Sequence, residues 1–152
     1  MKQSAGILLY RRKTIVTEFL LVHPGGPFWK NKDLGAWSIP KGEFTDQENP
    51  LDAAKREFKE ETGFDISGQF LVLTPIKQQS GKWVHAWAIE KYIDAAAIKS
   101  NEFEMEWSPK SGLLKSFPEV DRAAWFSLDK AMLKINPSQS GFITQLQELF
   151  SL

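Results

Sequence analysis

Residues 49–63, NPLDAAKREFKEETG, carry a full set of helix start and stop signals, which fixes one element and frames the rest of the chain around it. Asn49 offers a side-chain oxygen to the first turn and Pro50 has no amide proton to leave unpaired. Asp52 favours the positive end of the helix, and Gly63 supplies the residue without a Cβ that closes it. The spacing predicts a helix over about 50–61. The segments before and after it read as strands. SAGILLYRR (4–12) and IVTEFLLVH (15–23) are apolar and branched and are separated by a short break at Lys13-Thr14. AWSIP (36–40) reads as a short strand stopped by Pro40. QFLVLTPIKQQ (69–79) and KWVHAWAIEKY (82–92) read as a strand pair around Ser80-Gly81, with Trp83, His85, Trp87 and Ile89 on one face of the second. RAAWFS (122–127) reads as a further strand, followed by a short helix from about Leu128 and a last helix over about 142–150. Strands mixed with a few helices, with no regular strand-helix repeat, predict an α+β domain in which a mixed sheet is flanked by helices.

The helix has a second property. At about 100° per residue, Leu51, Ala54 and Phe58 fall within about 60° of one another and form an apolar stripe. Glu57, Glu60 and Glu61 occupy an adjoining arc of about 100°. Arg56 and Glu60 stand at i and i+4 and suit a surface ion pair, yet Glu57 and Glu61 repel at the same spacing. A solvated face explains such a cluster in most helices. A divalent cation explains it better if the neighbouring residues agree, because hard cations take oxygen ligands and are commonly shared between carboxylates and a substrate phosphate.

The neighbours do agree. Gly42, Glu48, Arg56-Glu57-Phe58, Glu60-Glu61 and Gly63-Phe64 match G-x5-E-x7-R-E-U-x-E-E-x-G-U, where U is a large apolar residue, without a departure. Chance would meet these constraints on the order of once in 10⁹ starting positions, so the solvated-face explanation gives way. The stretch resembles the Nudix box. The resemblance implies a mixed sheet sandwiched between helices, an α/β/α arrangement formed by a single domain over 1–152. It also implies a pyrophosphohydrolase that cleaves a nucleoside diphosphate linked to another group, with Mg²⁺ or Mn²⁺ as cofactor. By the family pattern Glu57, Glu60 and Glu61 ligate the metal with the backbone carbonyl of Lys41, and Arg56 braces the acids. Glu48 joins through water or holds Arg56. Gly42 lets the chain turn beside the metal. A general base comes from the box or from a later loop, and NEFEMEWSPKSG (101–112) offers Glu104 and Glu106 for that role.

The box does not name the leaving group. PGGPFWKNKDLGAWSIPKG (24–42) is rich in turn residues and aromatics, and Phe28, Trp29 or Trp37 suits stacking on a base while Lys30, Lys32 or Lys41 suits phosphate. Trp37, in a predicted strand, is the first of these to expect in the core. His85 reaches a phosphate if its face lines the cleft. AWSIPKG also resembles diadenosine tetraphosphate hydrolases, which points to a dinucleoside polyphosphate as substrate. The alternatives are a damaged nucleoside triphosphate, a nucleotide sugar, an RNA 5′ end, or nucleotide binding without cleavage. ADP-ribose pyrophosphatases carry a proline near the position of Gln79, and Pro75 falls early for that. Isopentenyl diphosphate isomerases use a cysteine, which this chain lacks.

Composition limits the partners. Nineteen Lys and Arg balance nineteen Asp and Glu over 152 residues, so no long-range field gathers duplex DNA or an anionic membrane. The expected partner is a small nucleotide, met by a monomer or a homodimer. The lack of cysteine, and an N-terminal apolar run too short for a signal sequence, predict a cytoplasmic location.

Overall fold

The computed structural model describes residues 2–152. Its centre is a seven-stranded mixed sheet. The main path runs β4 (Leu71–Val72), β6 (Trp83–Glu90), β1 (Gln3–Lys13), β2 (Val16–Pro24), β9 (Val120–Ser127), with β3 (Lys41–Phe44) paired to β1 and β5 (Ile76–Lys77) paired to β6. β1 and β6 run parallel, with Ala5 opposite His85 and Leu9 opposite Ile89; the other pairings are antiparallel. A separate two-stranded ribbon joins β7 (Glu102–Glu106) to β8 (Leu114–Pro118).

β1 is apolar at almost every position because both of its faces are covered. Ala5, Ile7 and Leu9 pack with Leu20 under Ala53, Ala54 and Phe58 of α1 (Pro50–Thr62). Leu8 and Tyr10 face the other way, with Phe19, Leu21 and Trp37, under Phe142, Ile143 and Leu146 of α3 (Ser140–Phe150). α2 (Leu128–Lys134) closes that second layer through Ala131. The expected sheet between two helical layers is thus present. No helix among the described residues is long and apolar enough to cross a membrane.

Several boundaries differ from expectation. Residues 69–79 do not form one strand: Leu71–Val72 and Ile76–Lys77 pair separately with β6, and between them the amide of Thr74 turns to Oε1 of Gln145 on α3. Pro75 has no amide proton to extend the ladder. AWSIP is not a regular strand either. Ser38 exchanges hydrogen bonds with Val22, but Trp37 bonds on its other side to Lys134 and Asn136 at the end of α2. The stretch is pulled between sheet and helix. Residues 101–112 are a loop only in their second half: Glu102–Glu106 forms β7, and 107–112 make the turn that leads to β8. In α1, Ala53 joins Ala54 and Phe58 as a fully buried residue while Leu51 stays partly exposed.

Candidate metal and phosphate site

α1 is held at both ends by the residues that predicted it. Oδ1 of Asn49 accepts from the amides of Leu51 and Asp52 at 3.0 and 3.2 Å. Gly63 adopts φ of 80°, and its amide donates to the carbonyl of Lys59 at 2.7 Å. Phe58 anchors the helix on the sheet at zero exposure, which fixes Glu57, Glu60 and Glu61 against β3.

Gly42 explains how close that approach is. A Cβ at residue 42 would collide with the carboxylate of Glu57, so the bare backbone of β3 serves as the surface on which this acid rests. Glu57 is buried, and Nη1 of Arg56 donates to it at 2.8 Å and to Glu60 at 3.2 Å. The same guanidinium grips Glu48 with both ends, Nε at 2.7 Å and Nη2 at 3.0 Å. Arg56 therefore braces the acids, and Glu48 holds Arg56. On the other side, the amide of Lys41 donates to Oε1 of Glu61 at 3.2 Å. The Lys41 side chain is itself desolvated, which lowers its pKa.

A fourth carboxylate completes the group, and it is neither Glu104 nor Glu106. The carbonyl of Glu60 accepts from the amide of Asn101 at 2.7 Å, and the carbonyl of Asn101 accepts from the amide of Glu119 at 2.8 Å. This bridge brings the β8–β9 junction to the end of α1, and Glu119 lines a cavity of about 210 Å³ together with Glu61, Lys41 and Trp29. Glu104 and Glu106 share the exposed face of β7, because alternate residues of a strand point the same way and Phe103 and Met105 take the inner face. Neither forms a hydrogen bond or ion pair with the box acids among the described residues. The sequence held one weak sign of Glu119, an acid directly before the last strand, in FPEVDR.

The electrostatics of this group are unbalanced. Burial raises the Glu61 carboxyl to about 8, with the charges of Glu57 and Glu119 adding to it against the Lys41 amide. Glu57 is raised for the same first reason, and Glu119 by burial and then by Glu60. Clustered carboxylates that resist ionisation and find one guanidinium between them are a donor set for a hard divalent cation. As they stand, with Glu57 and Glu60 turned to Arg56, no three acids among the described residues already converge in a ligating cage.

The other candidates separate clearly. Trp29 lines the cavity and is 39% exposed, available to a ligand. Phe28 lies outside it, exposed, with its ring edge against Trp107 at 5.5 Å. Trp37 is a core residue at 4% exposure, covered by Phe126 and His23, and its indole NH donates to Asp33; it has no free face for a base. His85 faces α1 but bonds Gln3 at 2.6 Å and packs on Phe44, away from the cavity's lining. Ser38, Asn136 and Gln139, none of them singled out from sequence, supply polar wall to the cavity. Gln139 is buried because its carbonyl oxygen accepts from the amide of Ile39 at 3.0 Å.

Comparison with known proteins agrees with this construction. A family description, the NUDIX domain, matches residues 1–146. An Ap4A hydrolase of C. elegans, solved as a binary complex, shares 20% identity at a TM-score of 0.67, covering 97% of this chain and 98% of its own. The NUDIX domain of Shewanella oneidensis NrtR, solved with ADP ribose, shares 16% identity at 0.67, covering 97% and 87%. The E. coli ORF135 protein shares 18% identity at 0.60, covering 99% and 91%. At these identities the three structures speak for the fold.

Proposed function

The chain belongs to the NUDIX domain family and is a Nudix pyrophosphohydrolase, and from that premise we propose that it hydrolyses a nucleoside diphosphate linked to another group, using Mg²⁺ or Mn²⁺. The observation that carries the reading is the carboxylate group itself: Glu61 and Glu119 line one open cavity beside Lys41 and Trp29, and Glu57 and Glu60 stand next to it on the same helix as Glu61, held by Arg56. Glu57, Glu60 and Glu61, with the carbonyl of Lys41, are the residues that would hold the ion. When bound, such an ion acidifies water and neutralises charge on phosphate oxygens.

The remaining steps belong to the chain's own groups. Arg56 keeps Glu57 and Glu60 in place by sharing one nitrogen between them. Lys41, adjacent to Glu61, pairs with a phosphate oxygen of the substrate and offsets its charge. Glu119, outside the box and raised by burial, is placed to take the proton of the attacking water. In-line attack then passes the P–O electron pair to the leaving phosphate. Trp29 gives one wall for a base or sugar.

A dinucleoside polyphosphate is the first substrate to test, on the strength of AWSIPKG at residues 36–42, which leads into the box. The experiment is a panel of dinucleoside polyphosphates, nucleotide sugars, ADP-ribose, damaged nucleoside triphosphates and triphosphorylated RNA, with products resolved after incubation with Mg²⁺ or Mn²⁺. Turnover of one class, lost in Glu61→Gln, supports the reading. Binding of a nucleotide with no product would favour a module that recognises without cleaving.

A further inference from the structure

A second concavity, about 450 Å³ in volume, lies against β9 and shares no lining residue with the acid cleft. Three separate elements bring cations to it: Lys30 and Lys32 from the segment after β2, Arg122 from β9, and Lys134 from the end of α2. One carboxylate, Asp33, lines the same space and is paired with Lys134, and a second, Asp121, stands beside it 3.9 Å from Nε of Arg122, so four cations face two acids. The concavity therefore holds a local surplus of positive charge in a chain whose charges balance at nineteen each.

This surplus is structured. The guanidinium carbon of Arg122 lies 5.1 Å from the ring centre of Trp37, and Nζ of Lys134 lies 5.9 Å from that of Phe126. Aromatic faces hold cations by their ring quadrupole, so these two heads rest on a fixed floor. The lysine-bearing segment is pinned from below by His23, which is fully buried. Its Nε2–H donates to the carbonyl of Lys32 at 2.6 Å, and Nδ1 meets Asp121 on β9 at 2.9 Å. The clamp ties Lys32 and Arg122 to the same ring, since Arg122 follows Asp121. A solvated lysine face requires no such convergence.

We propose that this concavity is a second anion site, which binds a polyphosphate chain, free or carried by a nucleotide, independently of the acid cleft. The planar fork of Arg122 suits bidentate contact with phosphate oxygens, and the lysines act as point charges on either side of it. The volume exceeds what one phosphate fills and suits a chain of several.

The test titrates inorganic tripolyphosphate into ¹⁵N-labelled protein, first with chelator and then with Mg²⁺, following backbone amides. With chelator the unneutralised acids of the cleft repel the probe. Saturable shifts are expected at Lys30, Lys32, Arg122 and Lys134, weakening as salt is raised. Lys30→Glu with Arg122→Glu should weaken binding by roughly a hundredfold, about tenfold for each lost charge-assisted contact. Lys30→Gln with Arg122→Gln replaces that pair if charge reversal disturbs folding. Shifts confined to Lys41 and Glu61, or an affinity unchanged in both double variants, would overturn the site. A parallel titration with ATP separates the sources: tighter binding than tripolyphosphate assigns a nucleotide, and equal binding assigns free polyphosphate. Hydrolysis is not part of the readout, so the result stands apart from the activity of the cleft.

Discussion

Gly42 and Glu61 carry the site's chemistry at the scale of single residues. The carboxylate of Glu57 occupies the space that any side chain at residue 42 would need. Gly42→Ala should therefore displace this acid and lower kcat by roughly a hundredfold, the usual penalty for an ångström of misplacement, while circular dichroism shows the fold retained. Glu61 gives a pH signature. Its carboxyl is raised in the folded chain to about 8, so in metal-free protein the folded state binds the extra proton between the ordinary carboxylate value and that pH. Stability contributed by the protonated form is complete below the unfolded pKa and is lost as pH rises through about 8. Thermal melts in chelator should fall across that window, Mg²⁺ should reverse the fall, and Glu61→Gln should flatten it. A melt in chelator that rises steadily over the same window would contradict the account.

α1 is the element whose punctuation can be tested directly. Asn49 caps two amides, and Asn49→Ala should cost about 1 kcal/mol in urea unfolding. Gly63 is left-handed, and an added Cβ would also meet the carbonyl of Lys99, so Gly63→Ala should cost more than the ~1 kcal/mol of backbone strain alone. α1 was legible in sequence because its signals are local: a cap, a proline, a glycine and an apolar stripe within one stretch. The stretch at 36–40 reads as a regular strand and is not one, since Trp37 takes its bonds from the end of α2 and Ser38 takes its from β2, partners that no local pattern announces. Glu104 and Glu106 show the converse failure. Their acidity was readable, but their face of the ribbon depends on the burial of Phe103 and Met105.

For the whole molecule, the question is how distant segments meet. The box at residues 42–64 announced three of the four acids, Arg56 and both glycines, because these residues lie in one continuous segment on and around α1. Glu119 arrives through the Asn101 bridge, which joins α1 to the β8–β9 junction by two backbone hydrogen bonds that any residue can make. Trp29 reaches the cavity through a segment pinned by His23, and the basic concavity depends on the same clamp. Glu119→Gln should lower kcat and alter its pH profile with little effect on the melting temperature, whereas Glu104→Gln should leave kcat within about twofold of normal, as for an exposed residue away from the chemistry. The central claim is that the carboxylate group beside the cavity drives attack of water on phosphorus. Hydrolysis of the preferred substrate in H₂¹⁸O with Mg²⁺, read by mass spectrometry of the products, tests it most directly. The account predicts one ¹⁸O in a single phosphate-bearing product, at a rate reduced about a thousandfold or more in Glu61→Gln. Label in a sugar or base, or undiminished labelling of phosphate by Glu61→Gln, would contradict it.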